Sequence, residues 1–106
     1  MKRKSTEWVR KATLGSTILK FKIENLSKAE ACKYVQAVGD YNEFNPSKVC
    51  RAISASPAGT TFTVGREYSP VIYAKGDVAA VKKAFAQTGP DESDVQKNGA
   101  LRMWWD

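Results

Sequence analysis

Ser27-Lys-Ala-Glu30 constrains this chain more than any other stretch. The Ser27 hydroxyl can accept the backbone N–H of Glu30, and the Glu30 carboxylate can reach back to the Ser27 N–H. That reciprocal box starts a helix. Leu26 and Ala31 stand where a hydrophobic staple would close over the start. Ala31, Val35 and Val38 then recur at helical spacing, flanked by Cys32 and Tyr34, and Gly39 suits the stop. A helix over 27–38 with one apolar stripe needs another layer to bury that stripe against.

The preceding segment supplies a sheet. Residues 16–23 alternate with period two, placing Leu19, Phe21 and Ile23 on one face and Ile18, Lys20 and Lys22 on the other. After a loop over 40–46, residues 48–55 are expected to form a strand, Pro57-Ala-Gly59 a turn, and Thr60–Val64 the returning strand. Gly65 to Pro70 reads as an interruption before a short extended piece, Val71–Ala74. Pro70, lacking an N–H, belongs at a strand start or edge. Asp77 caps a second helix in which Val78, Val81 and Phe85 share a face and Lys82 and Lys83 point out, and Gly89-Pro90 ends it. Residues 90–99, with Asp91, Glu92 and Asp94, read as a polar loop, and Ala100–Trp105 as the last strand.

The order strand, helix, strand, strand, helix, strand predicts an α+β fold. Two helices cover one face of a mainly antiparallel sheet in the ferredoxin-like βαββαβ layout, with an extra short strand. A chain of 106 residues suits one such domain, spanning 15–106 after a basic arm over 1–14. Trp8, Val9 and Ala12 give the arm an apolar stripe that can pack back on the domain. No apolar run approaches the roughly 18 residues of a membrane span, and no apolar stretch follows the basic start as in a secretory signal. An intracellular, cytoplasmic protein is expected. Cys32 and Cys50 then read as reduced thiols, the alternative being one disulfide in a secreted protein.

The charge is distributed unevenly along the chain. The formal net charge is +6. Residues 1–22 hold Lys2, Arg3, Lys4, Arg10, Lys11, Lys20 and Lys22 against Glu7 alone, while basic and acidic side chains cancel over 23–106. Such a field favours nucleic acid, anionic lipid or an acidic protein surface.

Catalytic chemistry has little to work with. There is no histidine to serve as general base or metal ligand, and neither cysteine has a partner that would activate it. The expectation is a non-enzymatic protein with no cofactor and no metal site.

The layout resembles the RNA recognition motif. Phe21-Lys-Ile-Glu-Asn-Leu26 is similar to that family's first-strand signature, and Arg66-Glu-Tyr-Ser-Pro-Val-Ile-Tyr73 can be laid on its third-strand signature, with Arg66, Tyr68, Val71 and Tyr73 in agreement. Leu101-Arg-Met resembles the last strand. The resemblance implies a sheet face that stacks bases on aromatic rings, with Tyr68 as the stacking candidate.

On the alternation above, the open face of the sheet would show Ile18, Lys20, Lys22, Ile72, Arg102 and Trp104, with Tyr68 nearby. Cations interleaved with rings suit single-stranded RNA or DNA. The binding set is then Lys2, Arg3, Lys4, Arg10, Lys11, Lys20, Lys22, Tyr68, Arg102 and Trp104. Alternatively, Trp104 is core and Trp105 the exposed ring. The same residue types also suit a protein partner, in a module that masks a partner's surface or self-associates as a homo-oligomer.

Overall fold

A computed structural model describes residues 3–15 and 20–106. The elements run α1 (Thr6–Gly15), β1 (Lys20–Leu26), α2 (Lys28–Val38), α3 (Pro46–Ala55), β2 (Thr61–Glu67), β3 (Ser69–Lys75), α4 (Val78–Ala84), β4 (Glu92–Val95) and β5 (Leu101–Trp104). The fold is α+β, as the periodicities require. Its five strands lie in the order β1-β2-β3-β5-β4, and every pairing is antiparallel. Among the described residues no helix is long and apolar enough to cross a membrane.

Local signals account for several elements. The Ser27 hydroxyl accepts from the Glu30 N–H at 3.3 Å, and the Glu30 carboxylate accepts from the Ser27 N–H at 2.9 Å. Gly39 then ends α2 at φ 82°, a value that suits glycine. The Asp77 carboxylate accepts from the Ala80 N–H at 3.1 Å and starts α4.

Three expectations about secondary structure are corrected. Residues 48–55 are helical. The Asn45 side chain accepts from the Lys48 N–H at 3.1 Å, Pro46 occupies the first turn, and Val49, Ala52 and Ile53 are buried on one helical face. Gly65 to Pro70 is not a break, because β2 runs on to Glu67 and turns through Tyr68, at φ 68°, directly into β3. Residues 92–95 are not loop but an edge strand paired with β5, although all of its residues are exposed. The order expected for a ferredoxin-like domain is therefore not the one present, and helices α1 to α4 all contribute to the covering layer.

The register explains why that layer lies on one side. Ile23, Val64, Ile72 and Met103 stand opposite one another on successive strands, and all are buried. Val9, Val35, Val49, Ile53, Val81 and Phe85 from the four helices join them in a single core. The helices lie side by side, α1 on α2, α2 on α3 and α3 on α4. Trp8 of α1 meets Phe21 of β1 edge-to-face at 5.5 Å. Trp105, just past β5, is fully buried beside Phe44 and Phe85. Ile72, expected on the open face, is core.

Candidate functional site

Alternation puts the odd-numbered residues of β2 and β3 and the even-numbered residues of β1, β4 and β5 on the uncovered face. One row across it reads Lys22, Gly65, Val71, Trp104, Glu92, and the next reads Thr63, Tyr73, Arg102, Asp94. Lys20 lies opposite Glu67 at the end of β1.

Glu67 is the centre of this face. It accepts from Arg102 Nε at 3.0 Å and Nη2 at 2.8 Å, and from the Tyr73 hydroxyl, and it lies 3.5 Å from Lys22 Nζ. Partial burial alone would raise its carboxyl pKa. The hydrogen bonds from Tyr73 and Arg102, with the charges of Arg102 and Lys22, outweigh burial and hold it below the ordinary carboxylate value. Arg102 also reaches Glu92 at 2.8 Å and Asp94 at 3.5 Å. Burial works against the charged form of Lys22, but Tyr73 and Glu67 overcome it and raise its pKa. These carboxylates clasp a guanidinium rather than one another, so they do not form an acid–base pair.

The rings of this face already carry cations. Lys20 Nζ lies 4.8 Å from the Tyr68 ring centre, Lys22 Nζ 4.6 Å from Tyr73, and the Arg102 guanidinium 6.0 Å from Trp104. Trp104 is half-buried, and its Nε1–H donates to the Glu67 carbonyl at 3.0 Å. Trp104 is thus the ring of the open face and Trp105 the core ring. Tyr68, at the hairpin tip, is 58% exposed. Lys20, Lys22, Glu67, Tyr68, Arg102 and Trp104 bound a shallow depression of about 650 Å³.

Glu67 gives the first prediction. Its folded pKa is depressed, so its contribution is present above the unfolded value near 4.5 and is lost as pH falls through the folded value. Glu67→Gln is expected to lower stability at pH 7 by about 1.5–3 kcal/mol, the range of hydrogen bonds to charged groups. Urea unfolding from pH 7 to pH 3 should show the gap to wild type closing below about pH 4.5. A gap that stays constant over that range would refute this role.

The basic residues of the first segment divide between the two sides. Lys20 and Lys22 belong to the open face. Arg10 and Lys11 are exposed on α1, in the helical layer, where Lys11 pairs with Glu7 at 3.3 Å. Arg3 is bound to the Glu30 carboxylate at 2.6 Å and to the Asn25 carbonyl at 3.1 Å. Lys4 Nζ lies 5.0 Å from the Trp8 ring centre. Lys2 and Ile18 lie outside the described residues.

The helical layer carries cations that sequence reasoning did not assemble into a site. Lys33 of α2, Lys48 and Arg51 of α3, and Lys82 and Lys83 of α4 are all exposed. The only carboxylates within the four helices are Glu7 and Glu30, each paired with a cation. Lys48 and Arg51 also edge a hollow of about 420 Å³ between α3 and α4, floored by Ala52, Ala55 and Ala84. Charge sums over 23–106 hide this layer because the compensating acids sit on strands and loops. Counting charge by element reveals it.

Cys32 on α2 and Cys50 on α3 are free thiols at the seam of these helices. Burial, reinforced by Cys32, pushes the Cys50 thiol up to about 12, which leaves it a poor nucleophile at neutral pH. No protein-family model, curated protein or solved structure matches this chain.

Proposed function

We propose that this protein is a non-enzymatic nucleic-acid-binding module that holds the phosphate backbone against its helical layer. The observation that carries the reading is the segregation of charge. Arg10, Lys11, Lys33, Lys48, Arg51, Lys82 and Lys83 are exposed on adjacent helices, and the carboxylates of those helices are engaged in ion pairs. Phosphate contacts of this kind release counterions and bind without reading sequence. The open sheet face is less suited to the task, since Lys22 and Arg102 are shared with Glu67, Glu92 and Asp94, while Lys20 stands outside these ion pairs.

Anisotropy with a labelled oligonucleotide tests this directly. With about five phosphates neutralised, affinity should fall roughly a hundred- to thousand-fold between 50 and 200 mM salt. Lys48→Glu, Arg51→Glu, Lys82→Glu and Lys83→Glu together should abolish binding with the fold intact by circular dichroism. A flat salt response, or full binding by that variant, rules the proposal out. Loss of binding confined to Lys20→Glu with Lys22→Glu would instead move the ligand to the open face. There the 58% exposure of Tyr68 favours the second reading, a single strand stacked on a ring.

A further inference from the structure

The two cysteines lie far apart in sequence, yet the packing of α2 on α3 brings them together. The Cys32 thiol donates to the Cys50 carbonyl at 3.7 Å, and the Cys50 thiol donates to the Cys32 carbonyl at 3.6 Å. Each sulfur therefore rests against the other residue's own backbone, and the two side chains lie side by side across the seam. Both residues are half-buried, so a small oxidant can reach them. We propose that Cys32 and Cys50 are a built dithiol site that closes to an intramolecular disulfide linking α2 to α3 when the surroundings become oxidising.

The geometry favours this pairing in three ways. The reciprocal contacts bring each sulfur to the other residue's backbone, so the two side chains reach into the same space across the seam, as a disulfide requires. Each sulfur is held only by a weak S–H···O contact, so little opposes its turning toward the other sulfur. Val35 and Val49 are fully buried in the core from these same two helices, so the backbones beside the thiols are already held in place.

With a small disulfide such as oxidised glutathione as oxidant, the chemistry balances. The Cys32 thiolate attacks one glutathione sulfur and expels the other as a thiolate. Cys50 then loses its proton to solvent and attacks the Cys32 sulfur of the mixed disulfide, expelling the second glutathione. The two cysteines lose two electrons and two protons, and one glutathione disulfide becomes two thiols. Burial of Cys50 makes the second step slow and base-dependent. The closed bond spans a sequence separation of 18 residues and ties α3, which bears Lys48 and Arg51, to α2, which bears Lys33.

This inference is independent of the nucleic-acid reading, and its test uses neither salt nor oligonucleotide. The folded protein is incubated with oxidised glutathione, quenched with acid, and examined by intact mass and by thiol titration in denaturant. The expected product is a monomer lighter by two hydrogens, with no free thiol, formed faster as pH rises from 7 to 9. Its melting temperature should exceed that of the reduced chain by about 10 °C. Cys50→Ser should instead stop at a single glutathione adduct on Cys32. Persistence of two thiols, stable double glutathione adducts, or disulfide-linked dimers from the wild-type chain would overturn the proposal.

Discussion

Trp105→Ala is expected to lose most of this protein's stability, while Trp104→Ala, one residue earlier, leaves the fold standing. Trp105 is fully buried, with its ring centre 5.0 Å from that of Phe44 and 6.5 Å from that of Phe85. Its Nε1–H donates to the Thr88 carbonyl at 2.8 Å. Truncation opens a cavity where three rings meet, at about 3–5 kcal/mol. It also strands a buried carbonyl, which costs about 1–3 kcal/mol more. A domain of this size has a total of about 5–15 kcal/mol. Trp104 is half-buried on the open face, and its loss should cost about 1–2 kcal/mol, mostly through the bond to the Glu67 carbonyl. Urea unfolding followed by far-ultraviolet circular dichroism separates the two. Equal midpoints for the two variants would show the burial assignment to be wrong.

Gly65→Ala is the second large effect, and it comes from a single carbon atom. A β-carbon at Gly65 would stand 2.0 Å from the Phe21 carbonyl oxygen and 3.0 Å from the Lys22 α-carbon. Both are backbone atoms, so no rotamer change relieves the contact, and β1 must move away from β2. Overpacking costs about 1–3 kcal/mol, and each ladder bond weakened adds about 1 kcal/mol. The melting temperature should fall by about 15 °C. A change of less than about 3 °C would mean that β1 can lie further from β2 at no cost.

Gly65 also shows why part of this fold could not be read from the chain. Glycine and proline close together suggest punctuation, and Gly65 with Pro70 suggested a broken strand. In the sheet, Gly65 is needed because β1 approaches so closely, and Pro70 sits next to the hairpin turn, at the start of β3. The constraint on Gly65 belongs to the neighbouring strand, so no local pattern carries it, whereas Pro70 stands at the strand start that its missing N–H requires. Residues 48–55 failed differently. Their apolar side chains fit a strand or a helix, and the deciding signal, the Asn45 cap followed by Pro46, lay just outside in what read as loop. β4 has no buried residue at all and exists only because β5 pairs with it. By contrast, α2 and α4 announced themselves through caps made by side chains a few residues away, Ser27 with Glu30 and Asp77 with the Ala80 N–H.

The open face was legible in part in the same local way. Period two groups Lys20 with Lys22 and Arg102 with Trp104, and the register across β2 and β3 sets both pairs on one face, which decides the choice between Trp104 and Trp105 that the chain leaves open. Ile72 broke the scheme because the register puts it with Val64 and Met103. Glu67 finds its place only because β2 runs past Val64 to the hairpin turn. The cations of the helical layer were visible residue by residue, but their assembly into one surface depends on the order in which four helices lie across the sheet.

That order also bears on the protein without any ligand. Helices laid side by side with cations on their outer surfaces repel one another, and the core must hold them together against their own field. Mobile ions shorten the range of this repulsion to about 8 Å at physiological ionic strength. Added salt therefore steadies the empty fold through the same screening that would loosen a bound polyanion. A polyanion lying across α1 to α4 would act as the missing counter-charge of the helical layer, so that ligand and core would hold the same four helices in place.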